Sequence, residues 1–151
     1  MVKLTEGKVE EKRKENILRL RAHHLLCLQG FQGYGYSEEF VENISRILRA
    51  LKENPQGKIL LVRGVDEVCE YCPYEKDGRC EKTPDSERKV QEMDEKVFLR
   101  TGTRPGTLIK AEDIKGLIDS SFTQFSHTEE VCGDCSWKEK CGWYILSLEK
   151  K

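Results

Sequence analysis

Phe40, Val41, Ile44, Ile47, Leu48 and Leu51 recur at helical spacing, and this stripe predicts an amphipathic helix over 37–53. Ser37 suits its N-cap, Glu38 and Glu39 favour its first turn, and Asn54-Pro55 stops it. Upstream, Ile17, Leu18 and Leu20 predict a short extended lead-in. The denser run holding Leu25, Leu26 and Leu28 predicts a buried helix at about 22–29, ended by Gly30. Gly30 to Tyr36 is an aromatic loop whose G-x2-G-x-G spacing is not that of a dinucleotide fingerprint. Lys58 to Arg63, an apolar run between Gly57 and Gly64, reads as a buried strand. A second long helix is expected over 84–100. Thr83 would cap it, Pro84 would take its first position, Val90, Met93, Val97 and Phe98 would form its stripe, and Gly102 would end it. Thr107 to Lys110 suggests a further strand, and Glu112 to Ser120 a short helix with Ile114, Leu117 and Ile118 inward. Two stretches, 65–82 and 121–144, show little period, and residues 1–16 are mostly charged or polar. The expected architecture is a mainly helical α+β domain over 17–151. It is single and compact, carries irregular cysteine-bearing metal loops, and follows a charged N-terminal tail at 1–16.

Size and charge narrow the function. A chain of 151 residues fits one domain and buries ~68–70% of its unfolded surface, so a core without staples is expected. Lys and Arg total 26 against 27 Asp and Glu, a net charge of −1 that argues against nucleic acid as a partner. No apolar run approaches the ~18–20 residues of a membrane helix, and Met1 to Glu6 lacks the apolar core of a secretory signal. A soluble, cytoplasmic protein is expected. The charged fraction of 35%, dominated by Glu and Lys, is thermophile-like.

Seven cysteines then direct the reading toward metal. Six of them form two triads, Cys69-x2-Cys72-x7-Cys80 and Cys132-x2-Cys135-x5-Cys141. A C-x2-C pair points two thiolates at one metal from a single turn, and a nearby third cysteine closes the loop. Buried free cysteines would explain one such residue easily and six clustered ones badly. Disulfides, which do occur in the cytosol of hyperthermophiles, are the other use. Zinc would take Cys69, Cys72, Cys132 and Cys135 as a ribbon-like site, leaving Cys80 and Cys141 over. An iron–sulfur cluster also needs about four cysteines and tolerates the less regular spacings. The remaining cysteine lies in His23-His24-Leu25-Leu26-Cys27. On a helix, Cys27 shares a neighbourhood with His23 at i+4 and His24 at i+3, which suits metal ligation or an activated thiolate. Two four-ligand sites need eight donors, which the triads plus Cys27 and one histidine would supply. One complete site with spare cysteines, or a three-cysteine cluster with an open iron, are the other arrangements. His127, alone in a polar stretch, reads as a surface histidine.

The strings RLRAHHLLCLQGF, GYSEEFVENI and CGDCSWKEKC, with the CxxCP loop between the last two, resemble the domain-of-unknown-function family numbered 1284. The resemblance runs from about Leu18 to Cys141. Members are small uncharacterised bacterial and archaeal proteins described as iron–sulfur binding. It implies an iron–sulfur cluster, of the four-iron kind, in preference to zinc. It also implies that His23, His24 and Cys27 act with Cys69, Cys72, Cys80, Cys132, Cys135 and Cys141 as one functional set. The function expected is redox or electron-transfer related, with a redox protein as partner. A structural zinc module for protein interaction is the first alternative. A thiol- or metal-dependent enzyme using Cys27 with His23 or His24 is the second. Trp137, Trp143, Tyr71 and Tyr74 would shield a cluster, while Lys138, Lys140, Arg79 and Lys82 are expected to stay solvated.

Overall fold

Five short strands and six α-helices, with 3₁₀ turns and loops between them, make up the residues described in the computed structural model, 17–151. The expected tail at 1–16 lies outside them. Strand β1 (Leu18–Arg21) pairs in parallel with β2 (Lys58–Val62), which pairs antiparallel with β5 (Leu108–Lys110). Leu20 faces Leu61 across the first ladder, and Ile59 faces Ile109 across the second. Leu20, Ile59 and Leu61 are essentially sealed from solvent, and each such side chain contributes ~1.5–3 kcal/mol through burial. A parallel pair needs a long crossover. Here two helices supply it, α1 (His24–Gly30) and α2 (Glu38–Glu53).

Helix α2 forms where its stripe places it. Phe40, Ile44 and Ile47 are buried, and the Ser37 hydroxyl accepts from the Phe40 N–H at 3.1 Å. Helix α3 (Ser86–Thr101) begins two residues later than the sequence suggests. Thr83 does not cap it: a local turn forms instead, in which the Ser86 N–H donates to the Thr83 carbonyl and the Thr83 N–H to Ser86 Oγ. Its end is as expected, with Gly102 in the left-handed region at φ 73°. A single 3₁₀ turn (Ala111–Asp113) leads into α4 (Ile114–Ser121), whose Ile114 and Ile118 point inward.

The two aperiodic stretches are more ordered than their patterns suggest. Within 65–82, Glu75–Lys76 (β3) and Arg79–Cys80 (β4) form a hairpin closed by Asp77 and Gly78, both with positive φ. An Asp-Gly pair is the residue choice that such a turn demands. Within 121–144, α5 (Phe125–Cys132) and the start of α6 (Gly142–Ser147) both form. They pack on neighbours rather than declaring themselves by a stripe: α5 lies against α3, and α6 against α1. The resulting α+β core joins Leu25 and Leu26 of α1, Val97 and Phe98 of α3, Ile118 of α4 and Phe122. No helix among the described residues is long and apolar enough to cross a membrane.

Candidate metal centre

The junction between β1 and α1 is held by two buried carboxylates from distant parts of the chain. Asp94, on α3, accepts from the His23 backbone N–H at 3.0 Å and from Arg21 Nε at 2.8 Å, and lies 2.7 Å from His23 Nδ1. Asp66 lies 2.7 Å from His24 Nδ1 and accepts from the backbone N–H groups of Arg21 at 2.7 Å and Cys69 at 3.1 Å. Burial alone would raise both carboxyls. The His24 ring and three hydrogen bonds overcome this for Asp66 and bring it to about 2, while His23 and Arg21 bring Asp94 below its ordinary value. Burial, with His24 alongside, lowers the pKa of His23, so its ring is neutral near pH 7. An ionised carboxylate can only accept, so each Nδ1 carries the proton of its short bond. The two rings lie 4.4 Å apart between centroids.

Arg21 extends this network. Its Nη2 lies 3.6 Å from Glu87 Oε2, and Glu87 in turn accepts from the Cys80 backbone N–H at 2.6 Å. The carboxylates of α3 therefore couple the histidine turn to the hairpin that carries Cys80. The sequence reading names none of Arg21, Asp66, Glu87 and Asp94. One signal was present: Glu87 and Asp94, seven residues apart, fall on the inward face of the stripe that contains Val97.

The second triad gathers with Cys27. Cys132 ends α5, and the Cys135 N–H donates to the Cys132 carbonyl at 2.9 Å, closing the turn. The Trp137 N–H points at Cys135 Sγ from 3.4 Å. Cys141 immediately precedes α6 and packs against Gly30, at the end of α1. A Cβ on Gly30 would collide with Cys141 Sγ and lie 2.6 Å from the Trp143 backbone N. Burial pushes the Cys27 thiol well up, and Cys135, Cys132 and Cys141 push it further. Cys132 responds in the same order, to burial first and then to Cys135 and Cys141. Cys132, Cys135 and Cys141 thus all lie near enough to act on Cys27, and Asp66 does so as well. Cys27 also keeps accessible surface.

The first triad divides. Cys69 sits with His24 and Asp66, and among the described residues these three form the group of donor atoms that all lie within 4.8 Å of one another. Cys72 instead senses Cys80, after burial and a hydrogen bond from the Tyr74 backbone. The ribbon-like set of Cys69, Cys72, Cys132 and Cys135 therefore does not assemble as one compact cage. The two C-x2-C turns are nonetheless alike. Each directs the N–H of the aromatic residue two places on, Tyr74 or Trp137, at its second cysteine.

Tyr36, which the sequence reading leaves unassigned in its loop, joins these turns. Its ring packs edge-on against Tyr74 at 5.0 Å and Trp137 at 5.1 Å. Lys82 Nζ lies 4.9 Å from the same ring and donates to Ser136 Oγ at 3.0 Å. Of the four cations expected to be solvated, Arg79, Lys82 and Lys140 are exposed, while Lys138 is half-buried and tied to the Gly133 carbonyl at 2.7 Å. Trp143 packs on Phe122, and Tyr71 lies exposed under Arg46. His127 serves its own helix, accepting from the N–H groups of Thr123 and Gln124. A cleft of about 640 Å³, lined by Ile17, Ile47, Leu51 and Ala111 among others, contains no cysteine or histidine and lies apart from this chemistry.

The seven cysteines and the His24–Asp66–Cys69 group are compatible with metal binding. Residues 35–141 match the protein family described as "Protein of unknown function (DUF1284)". No curated protein and no solved structure matches the chain.

Proposed function

We propose that this chain, which belongs to the DUF1284 family, binds an iron–sulfur cluster of the four-iron kind through Cys27, Cys132, Cys135 and Cys141 and serves electron transfer or redox sensing. The observation that carries this reading is the convergence of Cys132, Cys135 and Cys141 on Cys27 from separate segments of the chain. Tetrahedral zinc, with bonds of ~2.3 Å, sets sulfurs about 3.8 Å apart. No three of these sulfurs lie within 4.8 Å of one another, although His24, Asp66 and Cys69 do. A four-iron cluster binds each thiolate at a different iron and so holds its ligands wider. Gly30 supports the same reading, because its missing side chain is what lets Cys141 reach the end of α1.

When bound, such a cluster supplies reversible one-electron chemistry. The chain's own residues set the conditions for it. Burial raises the Cys135 thiol, and the Trp137 N–H and the charges of Lys82 and Lys138 work against that rise. Tyr36, Tyr74 and Trp137 form an aromatic cover that limits water, and both effects tune a potential. The enzyme alternative gains little support, because burial pushes the Cys27 thiol away from thiolate. A small redox protein is the partner class this reading proposes, in the cytoplasm. The test is anaerobic purification with a visible spectrum and iron, sulfide and zinc contents. Brown protein with about four irons and matching sulfide is expected. Colourless protein holding zinc in an all-sulfur site overturns the reading.

A further inference from the structure

We infer that His24, Asp66 and Cys69 form a second, separate metal site, one that takes a single divalent transition ion of the zinc class. The site is distinct in its donors: one nitrogen, one oxygen and one sulfur, all within 4.8 Å. Zinc accepts all three types, and three protein donors leave a fourth tetrahedral position open. Three elements build it. His24 opens α1, Asp66 follows β2, and Cys69 begins a 3₁₀ turn whose N–H is fixed by Asp66 Oδ1.

Electrostatics favour a cation there. The Asp66 side chain is fully buried, and its side-chain partners, the His24 imidazole and the Cys69 thiol, both belong to the site. The nearest fixed cation, Arg21, spends its side chain on Asp94 and Glu87. Burial raises the Cys69 thiol, and the Asp66 charge raises it further, so without a metal the site is one buried anion beside a neutral thiol. A divalent ion reverses this. Cys69 releases its proton to solvent, and His24 gives up the proton on Nδ1 while keeping one on Nε2. The ion then takes the place that proton held between Nδ1 and Asp66 Oδ2. Two anionic donors and one neutral donor cancel the charge of the ion, which suits a part-buried site. The His24 side chain is 14% exposed, leaving a path from solvent.

The division of the first triad supports the separation. Cys72 turns to Cys80 rather than to this group, and Cys27 and the three cysteines around it lie outside it. The test uses the full chain, purified anaerobically and equilibrated with zinc against a chelator. Zinc, iron and sulfide per chain are measured together, and X-ray absorption at the zinc edge reads the donor set. The parent is expected to hold one zinc with a single sulfur among nitrogen and oxygen donors. Cys69→Ser and His24→Gln are each expected to weaken zinc ~10–100-fold or more while iron and sulfide stay at the parent level. Cys135→Ser is expected to do the reverse, and its zinc retention is read even if the parent carries no cluster. Unchanged zinc affinity in both Cys69→Ser and His24→Gln overturns the site. So does an all-sulfur zinc environment, or loss of iron in step with zinc. Circular dichroism of each variant identifies a folding failure, and the other substitution then carries the reading.

Discussion

Gly30→Ala separates two opposed effects of known size. Gly30 is the last residue of α1, and alanine in a helix is favoured over glycine by up to ~1 kcal/mol. On propensity alone the substitution stabilises. The contacts at this position argue the other way. The new methyl collides with Cys141 Sγ, lies 2.6 Å from the Trp143 N and 3.0 Å from the Trp143 Cβ. Trp143 N belongs to the first turn of α6, so relief requires that turn to withdraw from α1. Forcing a carbon into a packed core costs ~1–3 kcal/mol. The net expectation is a loss of ~1–2 kcal/mol in the metal-free, thiol-reduced protein, read by urea unfolding. Because the displaced atom is a proposed ligand, anaerobic iron and sulfide should also fall well below the parent level. A variant as stable as the parent, with full iron and sulfide, refutes the reasoning. It would mean that α1 and α6 are not pressed together at Cys141.

The remaining predictions test the framework around the site. Asp94→Asn leaves Arg21 and His23 buried without their anion and should cost ~3–5 kcal/mol. Glu92→Gln, on the exposed side of the same helix, should fall within ~0.5 kcal/mol by the same urea assay. Asp66 is held at about 2, below its unfolded value of 3.8, so its stabilisation is complete above pH ~4 and is lost as pH falls toward 2. The metal-free parent should therefore lose about 2 kcal/mol more than Asp66→Asn over that interval; parallel acid profiles would refute the assignment. Tyr36→Ala removes a tilted contact with Phe40 and edge-on contacts with Tyr74 and Trp137, and should cost roughly 2–4 kcal/mol from the lost aromatic pairs. It should also shorten the life of the brown chromophore in air several-fold, whereas Tyr34→Ala, at an exposed ring, should not.

What the sequence made legible follows from how locally each feature is encoded. The helix over 37–53 and the strand at 58–62 declare themselves because an apolar stripe or run needs only its own residues. The two C-x2-C turns are equally local, and their chemistry was readable. The assignment of Cys27 to the second triad rests on α1 meeting α6, which no spacing records; counting donors only required that Cys27 join some site. Nor does spacing give direction: Cys69 and Cys72 share one turn yet face different partners. The carboxylates were hidden for the same reason. Asp66 and Asp94 meet His24 and His23 across 42 and 71 positions of chain, and a single acid carries no mark of a distant partner. Helices α5 and α6 were missed because their buried faces include polar residues, Thr128 in one and Ser147 in the other, in place of an apolar stripe.

The central claim is the identity of the four ligands, and Cys27→Ser beside Cys80→Ser tests it most directly. Both replace sulfur by oxygen with little change of shape, and both are measured for iron and sulfide per chain after anaerobic purification. The account predicts that Cys27→Ser loses most of its iron and sulfide, because Cys27 stands with Cys132, Cys135 and Cys141. Cys80→Ser should keep the parent content, because Cys80 stands with Cys72 in the hairpin. Full iron in Cys27→Ser, or its loss in Cys80→Ser alone, would contradict it.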